Sequence, residues 1–114
     1  MESEPTANTV IATYRVRGDA LGAFLALLRE HHPTLVRLGL ATPEPAVVYR
    51  GDEGGAPVVY EIFTWVDANA PEVAHETPEV MRIWEALGTL VEERDGRPQW
   101  AFPHVVRVDL AAHG

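Results

Sequence analysis

The run Pro57–Val66, PVVYEIFTWV, carries large apolar side chains at both parities of a strand. With a period of two, one face receives Tyr60 and Ile62 and the other Phe63 and Trp65. A strand of this kind needs cover on both sides, which a sheet obtains from helices or from another sheet. The chain has 114 residues, enough for one domain and one core. Its helical patterns suffice for one side of a sheet only.

Thr9–Arg17 alternates as a strand, with Val10, Ala12, Tyr14 and Val16 sharing a face. Gly18 ends it and Asp19 serves as a helix N-cap. Leu21, Phe24, Leu25, Leu28, His32 and Leu35 follow at helical spacing. Pro33 is expected to stop or bend that helix at His32, leaving Thr34–Leu38 as a further turn closed by Gly39. Ala46–Arg50 is a short strand, and Gly51–Gly55 turns the chain into the long strand. The second helix starts loosely over Ala70–His75 and is reset by Thr77 with Pro78 at its first position. Its buried stripe is Val80, Ile83, Trp84, Leu87, Leu90 and Val91. Gln99–Leu110 is the last strand, placing Trp100, Phe102, His104, Val106 and Val108 on one face. Residues 1–8 and 111–114 are tails around a single domain over residues 9–110.

The order βαββαβ predicts an α+β, ferredoxin-like fold: a four-stranded antiparallel sheet with two helices on one face. Strands about 4.8 Å apart and up to about 30 Å long leave on the order of 500 Å² on the other face. Monomers seldom expose apolar patches beyond a few hundred Å². A second copy packed sheet against sheet, as an isologous homodimer, is the expected cover.

Composition narrows the partners. The formal net charge is −8, and the nine basic residues, all arginine, are scattered, which argues against nucleic acid and anionic membranes. The absence of lysine excludes Schiff-base chemistry, and the absence of cysteine excludes thiolates and disulfides and fits a cytoplasmic location. No run reaches the roughly 18 apolar residues of a membrane helix. Ser3, in the N-terminal tail, is the one serine, so triad hydrolysis is excluded. Gly54-Gly55 sits in a hairpin rather than between a strand and a helix, so no nucleotide cofactor is indicated.

Tyr60-Glu61, Trp65, Asp67, Ala74-His75 and Thr77-Pro78 before an amphipathic helix resemble the antibiotic biosynthesis monooxygenase family. That resemblance implies a dimeric α+β barrel with the same element order. It spans a range of activities: cofactor-free oxygenases of polycyclic aromatics, haem-degrading enzymes and small isomerases. The haem-degrading branch carries its iron-ligating histidine about two turns into the second helix. Ile83 and Trp84 stand there instead, His75 precedes the cap, and Asn8 lies in the expected tail. No cofactor is therefore expected.

Glu61, a carboxylate inside an apolar strand, is the foremost candidate for a general acid or base. The alternative is a structural pairing with an arginine or with His75. His75, just ahead of the second helix, offers a base or an orienting partner for Glu61. His32 lies within the first helix's apolar stripe, His31 at its edge, and His104 beside Trp100 and Phe102. Trp65, Trp84, Phe24 and Phe102, with His32 and His104, are candidates to line a pocket for a flat aromatic compound. His75 and Glu79 have helical metal-ligand spacing, but Pro78 intervenes, and no zinc or iron pattern emerges. Two functions remain open: an enzyme deprotonating a small phenolic or carbonyl compound, or a non-catalytic binding or assembly module.

Overall fold

A computed structural model describes residues 8–113. The sheet runs in the order β2 (Val47–Glu53), β3 (Ala56–Thr64), β1 (Thr9–Arg15) and a last strand in two pieces, β4 (Trp100–Ala101) and β5 (His104–Val105). All pairings are antiparallel. Helix α1 (Leu21–Arg37) and helix α3 (Pro78–Gly88) cover one face, with a short α2 (Ala70–His75) before α3. This is the ferredoxin-like α+β arrangement.

Register decides which face is buried. Val10, Ala12 and Tyr14 of β1, with Val16 just beyond it, point toward the helices, and so do Val59, Glu61 and Phe63 of β3 with Trp65 just beyond it. Leu87 and Val80 of α3 and Phe24, Leu28 and Leu35 of α1 pack onto them. The opposite face aligns Ile11 with Ile62 and Val47, and Thr13 with Tyr60 and Tyr49. There Val47 and Tyr49 are 48% and 60% exposed. No helix lies over that side among the described elements.

Glycines act where the backbone requires them. Gly54 and Gly55 both have positive φ, 60° and 88°, and close the β2–β3 hairpin between Glu53 and Ala56. Gly39, at φ 75°, ends α1: its N–H bonds Val36 C=O while Leu40 N–H bonds Leu35 C=O.

Several elements differ from the sequence expectation. Helix α1 runs straight through Pro33. Pro33 leaves the carbonyl of Arg29 without its usual helical donor, and Arg29 and Pro33 both lie on the exposed side of α1. Its N-cap is Ala20, not Asp19. Strand β2 extends to Glu53. The last strand does not reach Leu110. It is interrupted at Phe102-Pro103 and its pairing ends at Val105, although both pieces keep one register with β1. Ile11 N–H donates to Pro103 C=O, but proline returns no N–H, so one rung is missing. Leu110–His113 forms a 3-10 turn where a tail was expected. Most of the expected N-terminal tail lies outside the described residues, although Asn8 C=O accepts from Trp65 N–H and extends the ladder.

One ion-pair cluster ties the hairpin to β1 and the 94–97 turn. Glu53 accepts from Arg15 Nε at 3.0 Å and from Arg97 Nη1 at 2.7 Å, with Arg94 Nη1 at 3.7 Å. Partial desolvation alone raises the Glu53 carboxyl, but Arg15, then Arg97 and Arg94, outweigh it and hold it below its ordinary value of 4.5. A carboxyl lowered on folding stabilises above its unfolded value, and that contribution fades as pH falls through the folded one. Glu53→Gln is therefore expected to lower Tm at neutral pH, with the deficit shrinking as pH drops below about 4.5. Thermal melts of both proteins across pH check this, and a deficit independent of pH contradicts it.

Candidate functional site

Glu61 lies at the centre of β3, opposite Ala12 of β1 and Val48 of β2, and is 1% exposed. Its side chain therefore meets the helices and not the open face. Tyr14 Oη–H donates to Glu61 Oε1 at 2.9 Å. Both carboxylate oxygens lie 3.0 Å from Nδ1 of His31, which is 2% exposed. The other ring nitrogen, Nε2, accepts from Trp84 Nε1 at 2.8 Å.

This chain of contacts fixes the protons. An indole N–H only donates, so His31 Nε2 carries no proton. The ring is then neutral, with its single N–H on Nδ1, facing Glu61. The carboxylate accepts from both neighbours. Burial, then the charge of Glu61 and the hydrogen bond to it, push the Tyr14 hydroxyl well above the ordinary tyrosine value of 10.0. Tyr14 thus stays a donor that steadies Glu61. The result is a histidine oriented by a buried carboxylate, the pairing that base catalysis uses to stabilise a transient imidazolium.

Local sequence explains each position. His31 follows Phe24 by seven residues and Leu28 by three, which puts it on the buried side of α1. Trp84 follows Val80 by four residues and precedes Leu87 by three on the buried side of α3. Pro78 occupies the first position of α3 after extended Thr77, as the sequence suggests. The Thr77 hydroxyl, however, donates to Val73 C=O at 2.7 Å and so links α2 to α3 rather than capping α3.

A cavity of about 430 Å³ opens beside these residues, between the sheet and the α2–α3 side. Tyr14, His31 and Trp84 form part of its wall, and Phe63, Trp65 and Leu87 continue it as an apolar surface. Glu61 reaches the cavity through Tyr14 and His31. Residues of the last strand complete the wall: Trp100, Phe102 and His104 all share the parity of the buried face of β1. Gly88 permits the approach of Trp100, since a Cβ there would lie 3.2 Å from the indole. Trp65 Nε1 is buried and has no hydrogen-bond partner among the described residues.

The sequence candidates divide accordingly. Trp65, Trp84, Phe102, His104 and His75 line the cavity. Phe24 does not: it is fully buried beneath Tyr14, with ring centroids 5.0 Å apart. His32 is also outside the wall, buried against Phe63, with Nε2 3.2 Å from Thr42 C=O. The expected pairing of Glu61 with His75 is replaced by the pairing with His31. His75 is exposed at the end of α2 and sets its ring edge-to-face against Trp84 at 4.8 Å. The sequence sets His31 only at the edge of the first helix's apolar stripe; its spacing from Phe24 and Leu28 is the signal that marks it. No group of three histidine, aspartate or glutamate side chains converges as a metal cage among the described residues.

No protein-family model and no curated protein matches the chain. Solved structures do. One is an antibiotic biosynthesis monooxygenase, with TM-score 0.66 and 17% identity over 89% of this chain and 98% of that one. Another is SnoaB, a cofactor-independent oxygenase from Streptomyces nogalater, with TM-score 0.64 and 17% identity over 88% of this chain and 93% of that one. Rv0793 from Mycobacterium tuberculosis matches with TM-score 0.59 and 24% identity over 89% and 94%. The chain has the fold of these proteins along nearly its whole length.

Proposed function

We propose that this protein is a homodimeric proton-transfer enzyme that interconverts the keto and enol forms of a small, flat aromatic carbonyl compound. One observation carries the reading: a neutral histidine, oriented by a buried carboxylate, stands in the wall of an aromatic cavity of about 430 Å³. That volume falls within the range of small-molecule sites.

The residues divide the work. Trp84 N–H turns from His31 Nε2 to the carbonyl oxygen of the compound and stabilises the charge that develops there. His31 Nε2, now free, takes the proton from the adjacent carbon, and the electron pair moves to the oxygen. Glu61, hydrogen-bonded to Nδ1–H, stabilises the imidazolium, while Tyr14 holds the carboxylate in place. The imidazolium then returns its proton to oxygen, giving the enol. His75, at the cavity wall against Trp84, contacts the compound rather than the proton. The step uses side chains alone. An enolate is also the electron-rich species that can pass to dioxygen, and the likeness to a cofactor-independent oxygenase supports that continuation.

Incorporation of solvent deuterium into 2-tetralone, followed by NMR, tests the step. The wild type is expected to accelerate exchange over buffer, and His31→Gln to lose at least about a hundredfold of that rate. Absence of acceleration refutes the enzyme. If 2-tetralone raises Tm without exchanging, the cavity is a binding site and the protein a binding module.

The second copy belongs on the open sheet face. Ile11, Ile62, Tyr60, Val47 and Tyr49 share it, and no described element of the chain covers them. The arrangement leaves the cavity, on the opposite face, accessible in each protomer. No helix among the described residues is long and apolar enough to cross a membrane.

A further inference from the structure

The Trp84–His31 hydrogen bond is an odd feature for a site built around a base, because it occupies the one lone pair the base needs. We infer that this N–H···N pair is a slot for a hydroxyl group, and that the cavity selects enols and phenols over ketones, ethers and carboxylates of the same shape. The identity of the compound rests on the function proposed above, while the test below reads binding alone.

Donors and acceptors at the pair decide what can enter it. Opening the pair exposes an indole N–H, which can only donate, and Nε2, which can only accept. A group entering between them must accept from the first and donate to the second. A hydroxyl does both and leaves no polar group unpaired. A ketone accepts from Trp84 but leaves Nε2 without a donor, and an ether does the same less well. Leaving a buried acceptor unpaired costs binding energy. Carboxylates donate nothing and bring a second negative charge toward Glu61. No arginine lines the cavity among the described residues, whereas Glu85 does.

The two partners differ in their freedom to move. His31 is buried and held by Glu61 through Nδ1, so Nε2 stays in place. Trp84 is half-buried on the cavity wall, with His75 against its ring. Its indole is the side that yields, by roughly the length of one hydrogen bond. Nε2 of His31 thus reads the hydroxyl proton, while the N–H of Trp84 keeps that nitrogen paired when the cavity is empty and gives the pairing up to a group that restores it. The selection also suits the proposed reaction, since a site that fits the enol better than the ketone lowers the cost of forming it.

Calorimetric titration of the intact protein with 2-naphthol, 2-methoxynaphthalene, 2-tetralone and 2-naphthoate tests the slot. 2-Naphthol is a stable aromatic counterpart of the enol of 2-tetralone. It is expected to bind at least about tenfold tighter than the methyl ether and the ketone, with 2-naphthoate weakest. In Trp84→Phe the base has no internal donor, so the lead of 2-naphthol over the ether should persist or grow. Equal affinities for naphthol and ether in the wild type overturn the inference, as does a lead that vanishes in Trp84→Phe. A naphthol preference without deuterium exchange keeps the slot and refutes the enzyme; exchange without the preference does the reverse.

Discussion

Replacing His31 by leucine is expected to destabilise the protein by about 3–5 kcal/mol, because it strips a buried carboxylate of its principal partner. Glu61 is 1% exposed, and only the Tyr14 hydroxyl would remain within hydrogen-bond distance. The loss is electrostatic in origin rather than one of packing, since leucine nearly refills the volume of the imidazole. The double variant His31→Leu/Glu61→Leu should therefore be more stable than His31→Leu alone, although it removes a second polar side chain. The expected coupling is about 1.5–3 kcal/mol, well beyond the roughly 0.5 kcal/mol within which independent sites add. Urea unfolding of the wild type, both single variants and the double variant at one protein concentration gives the cycle, because stability depends on concentration if the protomers associate. Additivity within about 0.5 kcal/mol shows that the two residues do not act as a unit.

The second large effect concerns assembly. Ile62→Glu places a carboxylate at the middle of the open sheet face, where Ile62 lies between Ile11 and Val47. In an isologous dimer through this face the substitution enters twice and sets two unpaired charges on a largely apolar surface. Burying an unpaired charge costs several kcal/mol, enough to shift the protein from dimer to monomer at micromolar concentration. The protomer itself should stay folded, because Ile62 points away from the helices and their core. Light scattering with circular dichroism distinguishes the outcomes. A wild type that is monomeric at micromolar concentration removes the proposed assembly, and a variant that remains dimeric moves the contact elsewhere.

The fold was legible because its signals are local. Alternation in β1, glycines at 54 and 55, and the Thr77-Pro78 start of α3 each specify a conformation without reference to distant residues. The ambiguity in β3 was of another kind. Both of its faces are apolar, so parity alone could not say where Glu61 points. The answer depends on Tyr14, one strand away, whose hydroxyl meets the carboxylate only after β1 and β3 pair. His31 stands at the edge of the α1 stripe in sequence, and only the packing of α1 on β3 brings it to Glu61; Pro33, expected to stop or bend that helix, lies within it. The same residue type misled in the opposite direction at Pro103, where an interruption of the last strand was not expected. Helical spacing sets Trp84 in the buried stripe and its aromatic ring makes it a pocket candidate, but its bond to His31 joins residues on two helices and leaves no trace in either segment.

The missing rung at Pro103 has a bearing on how anything reaches the cavity. Trp100, Phe102 and His104 hang from a strand held by two short stretches of pairing, while the opposite wall rests on the continuous β1–β3 ladder. Fluctuations that break few backbone bonds are the ones most often visited. The outermost strand is therefore where the chamber wall is expected to loosen first, while the β1–β3 ladder that carries Glu61 keeps its pairing.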